Sequence, residues 1–228
     1  MTLGSDDLFK KRREARKQRK YEQRQPRANS FLIVTEGQCT EPNYFRGLQR
    51  LIQEKLGGTV DVVELPLIDV HGEGLATTAL IQKTEDIVRR ANVLYQNIWI
   101  VFDKDDFTDF NQAVKESTEK GYHAAWSNQS FEYWLYLHFE YSDSALHRSQ
   151  WCIKLNKMFE RHGIGDGKYH KNEKDIYKIA DSYGSVHAAV RNAKRRMAAY
   201  DAGTMKPSEF NPGTMVYELV EKLKGYLE

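Results

Sequence analysis

Cysteine is scarce in this chain, with two residues, Cys39 and Cys152, in 228. Thiols so few and so far apart give no disulfide framework and no zinc spacing, and a reducing cytoplasm is the expected setting. The histidines His162, His170 and His187 lack zinc spacing too. Long apolar runs are also missing. No stretch approaches the ~20 residues that cross a bilayer, and the basic N-terminus has no apolar segment of the secretory type. There is no Walker A sequence, no dinucleotide-binding glycine fingerprint and no G-x-S-x-G elbow. The chain is therefore not expected to hydrolyse ATP by itself.

What is present suits a soluble globular protein. A chain of 228 residues with 40% hydrophobic and 29% charged side chains can bury a core as one domain, or as one domain with a small appendage. The net charge of +2 hides an asymmetry. Residues 1–27 hold ten Lys/Arg against four acids, leaving the remainder mildly acidic at −4. The arm has too little apolar content to bury a face and is expected to be disordered or a solvated helix. Its cations Lys10, Lys11, Arg12, Arg13, Arg16, Lys17, Arg19 and Lys20 are candidate contacts to a polyanion, nucleic acid above all.

Two short apolar runs end in acid. Phe31, Leu32, Ile33 and Val34 lead to Glu36, and Ile98, Trp99, Ile100, Val101 and Phe102 lead to Asp103, Asp105 and Asp106. Continuous β-rich runs of this length suit strands buried on both faces of a parallel sheet. Ligands sit beyond the carboxyl ends of such strands, and the ends of neighbouring strands lie about 5 Å apart. If these two strands pair, Glu36, Asp103 and Asp105 can share one or two divalent cations, magnesium (Mg²⁺) or manganese (Mn²⁺), for phosphate chemistry. The D-x-D spacing points two carboxylates the same way in extended chain.

Helical spacing follows the first run from Thr40 to the Gly57-Gly58 pair, with Pro42 in the first turn. A second strand is expected over 59–70, interrupted at Pro66, then a turn at 71–74 and a helix over 76–94. A helix over 107–120 and a fourth strand over 122–127 complete the alternation, which predicts βαβ units and a mainly parallel four-stranded sheet. Residues 131–139 are apolar nearly all round, as in a buried helix. The β signal then stops, and 150–161, 173–183, 185–200 and 213–227 read as helices. The chain thus divides into a basic arm (1–27), an α/β core (28–145) and a helical C-terminal portion (146–228) placed against that core.

Each candidate has a bland counterpart. Asp106 and Asp109 fall where a carboxylate merely favours a helix start, and Ser127 or Asn128 is an adequate N-cap. Lys104 can neutralise the aspartates or point away. Glu132 sits in the first turn of an aromatic-rich helix, where a carboxylate must be paired, metal-bound or helped by the helix dipole. Lys168, in the K-Y-H-K-N stretch after a glycine-rich turn, is a candidate for stabilising negative charge on a phosphate, or part of a solvated loop. Arg191, Lys194, Arg195 and Arg196 cluster on one helix, either as a nucleic-acid face or as a solvated one.

A Glu-Gly turn after the first buried strand and a D-x-D after a later one resemble the Toprim arrangement of topoisomerases, DnaG-type primases and OLD-family nucleases. More narrowly, VTEGQCTEPNYF (34–45), VFDKDDF (101–107), SNQSFEYWLYLHF (127–139), KYHKN (168–172) and NPGTMVYELVEKL (211–223) resemble the RloB family. The resemblance implies a Toprim-like core in prokaryotic antiphage defence, encoded beside an RloA-type ATPase partner. It also implies that Glu36 is the Toprim glutamate and that Asp103 and Asp105 are the metal-binding pair. The expected activity is Mg²⁺-dependent hydrolysis of DNA or RNA phosphodiesters, with Glu132 and Lys168 as further catalytic groups. The competing expectation is a non-catalytic Toprim-like module, binding nucleic acid or serving as sensor or effector subunit of an ATPase complex.

Overall fold

The computed structural model describes residues 29–57 and 65–228, with Gln25, Pro26, Lys10, Arg13 and Glu14. The arm cations Lys11, Arg12, Arg16, Lys17, Arg19 and Lys20 lie outside the described residues, as do residues 59–64 of the expected second strand. Lys10 and Arg13 are exposed.

Five strands form the main sheet. After β1 (Gln25–Pro26), strand β2 (Ser30–Thr35) leads into α1 (Thr40–Leu56) and β3 (Leu67–Gly72). Helix α2 (Thr77–Arg90) and the short β4 (Val93–Leu94) precede β5 (Asn97–Asp103), α3 (Phe110–Glu119) and β6 (His123–Asn128). The rest of the chain is α4 (Phe131–Tyr136), α5 (Arg148–His162), α6 (Ile176–Tyr183), α7 (Val186–Met197), β7 (Gly213–Thr214) and α8 (Val216–Lys224). The sheet order is β3-β2-β5-β6-β7, parallel except for β7.

The apolar runs form inner strands because their side chains alternate between two covered faces. Phe31, Ile33, Trp99, Val101 and Ala125 face a core shared with α1, α4 and all four C-terminal helices. Leu32, Val34, Ile100, Phe102 and Trp126 face a second core under α2 and α3, against Leu80, Ile81, Phe110 and Ala113. The first core holds Trp134 and Trp151, both fully buried, and each contributes on the order of 3 kcal/mol through the area it hides. Helices α5 to α8 share this core with the sheet.

Several boundaries differ from the expected ones. The sheet gains a fifth strand, because Gly213 and Thr214 pair antiparallel with Asn128 and Ser127 instead of opening a helix. Two residues carry no period, and this strand is fixed by tertiary bonds: Ser127 Oγ lies 3.0 Å from Thr214 Oγ1, and the Met215 amide donates to the Trp126 carbonyl. The helix expected over 76–94 ends at Arg90, and Val93–Leu94 instead pairs with Gln25–Pro26 in a two-stranded sheet. The helix expected over 107–120 opens only at Phe110, with 108–109 in a turn and Phe107 exposed. His71 and Gly72 extend β3 instead of turning. The helix expected over 131–139 stops at Tyr136, although Leu137 and His138 stay buried.

Candidate functional site

The site grows from the pairing of β2 with β5. Thr35 lies opposite Val101, and the Glu36 amide continues the ladder to the Val101 carbonyl at 2.8 Å. The chain turns at Gly37, and the Glu36 carboxylate swings across to accept from the Asp103 amide at 3.1 Å. Asp103 ends β5 and accepts the Phe131 amide on Oδ2 at 3.0 Å, which ties the start of α4 to the sheet. Its other oxygen, Oδ1, is buried with no hydrogen-bond partner. A buried carboxylate oxygen without a donor is costly and needs a counterpart.

Glu36, Asp103, Asp105 and Glu132 line one cleft of about 290 Å³, together with Glu41, Cys39, Thr40, Phe131 and Lys171. Glu132 is 3% exposed and Glu41 7%. Glu41 comes close because residue 37 is glycine. A Cβ at that position would lie 2.1 Å from Glu41 Oε2, so any larger residue would drive the carboxylate off the turn. The sequence points only to the helix-start role for Glu41, since an acid in a first turn satisfies the dipole without further explanation. The available signal is its place in the first turn straight after a strand-end glutamate.

Burial and crowding raise Glu36, Glu41 and Asp103. Burial is the main cause for Glu36, pushed up to about 7, with the charges of Asp105 and Glu41 adding to it and the Asp103 amide opposing. Glu41 is likewise raised to about 7, by burial first and then by Glu132. Asp103 is held well above the ordinary aspartate range by burial and by the charges of Glu41, Glu132 and Glu36.

The far wall comes from the loop after α5. Tyr169 is buried, donates to Glu132 Oε1 at 3.2 Å and lies 3.1 Å from Thr40 Oγ1, whose hydroxyl donates to the Lys171 carbonyl at 2.7 Å. These bonds aim Lys171 at the cleft, with its ammonium 3.1 Å from Glu132 Oε1. Burial lowers the Lys171 pKa, but Glu132 more than offsets this and holds it above the ordinary value. Lys168 is exposed and does not line the cleft, so the lysine that faces the acids is Lys171, three residues on.

Asp105 reaches the cleft from a left-handed backbone (φ 38°) and is paired with Arg148 at 2.6 Å. Asp106 is exposed. Asp109 accepts from Thr77 Oγ1 at 2.8 Å and Thr78 Oγ1 at 2.9 Å, serving the start of α2. The basic cluster on α7 is largely engaged within the protein: Lys194 with Glu221, Arg195 over Tyr141, and Arg196 with the Pro212 carbonyl and Tyr200.

Among the described residues, no group of three or more His, Cys, Asp or Glu side chains is placed to hold a metal ion. The donor chemistry nevertheless suits a hard divalent cation: five carboxylates line one cleft, one of them with an orphan oxygen, and burial together with neighbouring negative charge raises Glu36, Glu41 and Asp103. Also among the described residues, no helix is long and apolar enough to cross a membrane.

The strand-end acids, α4 and the loop that carries Lys171 all fall within residues 31–223, which match a family model described as RloB-like protein. The chain belongs to the RloB-like family. The span that matches the RloB-like model contains every residue of the cleft and excludes the basic arm. Comparison with curated proteins and with solved structures gave no match.

Proposed function

We propose that this RloB-like protein is a Mg²⁺- or Mn²⁺-dependent nuclease with a Toprim-like site in the cleft between β2, β5 and α4. The observation that carries this reading is Asp103 Oδ1, buried without a donor among Glu36, Glu41 and Glu132. A carboxylate so placed is neutralised either by a proton or by a cation, and the cleft is open to receive one.

The residues that would hold the ion are Asp103, Glu36 and Glu41, with Asp105 at the mouth. A divalent cation there supplies Lewis-acid polarisation of a phosphoryl oxygen and lowers the pKa of bound water. Glu36 is raised to about 7 in the metal-free protein, and a bound cation would hold it as the carboxylate that ligation requires. Lys171 brings positive charge to the wall opposite the strand ends, where it can face a phosphate oxygen. The basic arm adds salt-sensitive, sequence-independent affinity for a nucleic-acid backbone. On the RloB resemblance, we place this activity in antiphage defence in the cytoplasm, alongside an RloA-type ATPase.

A second reading is a non-catalytic module, and two ion pairs favour it. Asp105 and Glu132 already hold Arg148 and Lys171, which balances part of the acidic charge without metal. Incubation of the purified protein with single-stranded DNA, duplex DNA and tRNA in Mn²⁺, alone and with the ATPase, separates the two. The nuclease reading expects cleavage that Glu36→Ala and Asp103→Ala both abolish while the fold is retained. Metal-dependent cleavage that survives both substitutions would overturn the site assignment, and no cleavage with or without the ATPase would favour the module.

A further inference from the structure

Asp105 occupies the cleft mouth with Glu36 and Asp103, and its charge is felt by Glu36. Its carboxylate is nevertheless turned to Arg148, 2.6 Å away. Arg148 is the first residue of α5, where a cation is disfavoured by the helix dipole. Its position is therefore not explained by the helix that carries it. The pair is also wet, with the Arg148 side chain 45% exposed and Asp105 21%. Ion pairs with this much solvent contact are weak and readily exchange partners. An arginine fork binds a phosphodiester as well as it binds a carboxylate.

We propose that Arg148 and Asp105 form a phosphate-operated latch: in the free protein Arg148 holds Asp105 away from the other acids, and a substrate phosphate takes Arg148 and releases Asp105 to complete the cation site. The proposal rests on the metal-site reading above and adds the order of events. The acids do not close into a shell in the free protein, and Asp105 is one of two that are engaged elsewhere, the other being Glu132 on Lys171. Substrate binding and cation binding then reinforce each other, since each removes an obstacle to the other. Arg148 acts as a positioning residue through Asp105 and as the group that senses the backbone of the nucleic acid.

Calorimetry with Mn²⁺ and no substrate tests it without reference to activity. Arg148→Gln should bind Mn²⁺ about three- to fivefold more tightly than the wild-type chain, the ceiling for a pair this exposed. Adding Asp105→Asn should remove that gain. Asp105→Asn alone should change wild-type affinity by less than about twofold. A short 2′-O-methyl oligonucleotide should raise the Mn²⁺ affinity of the wild-type protein but not of Arg148→Gln, and its uncharged methylphosphonate counterpart should do nothing. The latch is overturned if Arg148→Gln binds no more tightly, or if the gain persists in the double variant, which would mark a general loss of positive charge. An oligonucleotide without effect on the wild type overturns the phosphate trigger. The cation site itself stands or falls separately, on whether Asp103→Asn abolishes the Mn²⁺ heat of Arg148→Gln.

Discussion

Asp103 combines two demands that pull in opposite directions. Its Oδ2 is structural, receiving the amide that opens α4, while its Oδ1 has no partner. Asparagine keeps the first role and removes the charge that Glu36, Glu41 and Glu132 oppose. Metal-free Asp103→Asn should therefore be more stable than wild type at pH 8, by about 1–2 kcal/mol, or about 2–4 °C in Tm for each kcal/mol. Thermal denaturation in EDTA measures this, and a lower Tm at pH 8 would mean that the carboxylate is structural. The gain should shrink at pH 5, where the neighbouring acids carry protons.

At the scale of elements, the sheet positions the acids and the helices close the cleft. α1 packs on α6 through Gly47, where a Cβ would lie 2.6 Å from the Cβ of Tyr177. In an exposed helix, Gly→Ala stabilises by about 1 kcal/mol. Here the overpacking cost of about 1–3 kcal/mol prevails, so Gly47→Ala should be destabilising in urea denaturation. An increase in stability would show that α1 and α6 can separate without loss.

Much of this level was legible in the sequence. The strand-end placement of Glu36 and Asp103 was legible because a continuous apolar run suits a strand of a doubly covered sheet, which leaves the acid that follows it at the carboxyl end. Their pairing across 67 positions follows from β2 lying beside β5. Glu41 and Lys171 were not legible. Glu41 satisfies a helix start and so signals nothing more, and Lys171 owes its aim to Thr40 and Tyr169, contacts far apart in sequence that no local pattern encodes. β7 escaped for a similar reason, being too short to show a period. The loop stretch containing Lys168 was found, but with the wrong lysine nearest the acids, because a turn's residues have no fixed facing until the turn is built.

For the whole molecule, the acids link stability to pH. Glu36 and Glu41 titrate near 7 in the folded chain against an ordinary glutamate value of 4.5. Between those values the folded state binds more protons than the unfolded one, so their contribution is fully present below pH 4.5 and is lost as pH rises through 7. Metal-free protein should accordingly lose about 1–2 kcal/mol between pH 6.5 and 8, allowing for water around Glu36. His138 acts in a lower window. Burial holds it at about 4 against 6.5, so it costs stability only as pH falls below 6.5. On the metal-site reading Mn²⁺ would bind the deprotonated acids, so adding it at pH 8 should restore the stability lost there. Thermal melts at the two pH values with EDTA or Mn²⁺ check both signs, and melts that rise with pH in EDTA would contradict the crowding of the acids.

Tyr169 lies behind the cleft rather than in its lining, yet its single phenol joins the start of α1, the first turn of α4 and the loop that presents Lys171. Architecture and reactivity are therefore fastened at one point. On the nuclease reading, a genetic screen for inactive alleles would return this tyrosine beside the acids themselves, although its hydroxyl lies outside the cleft lining.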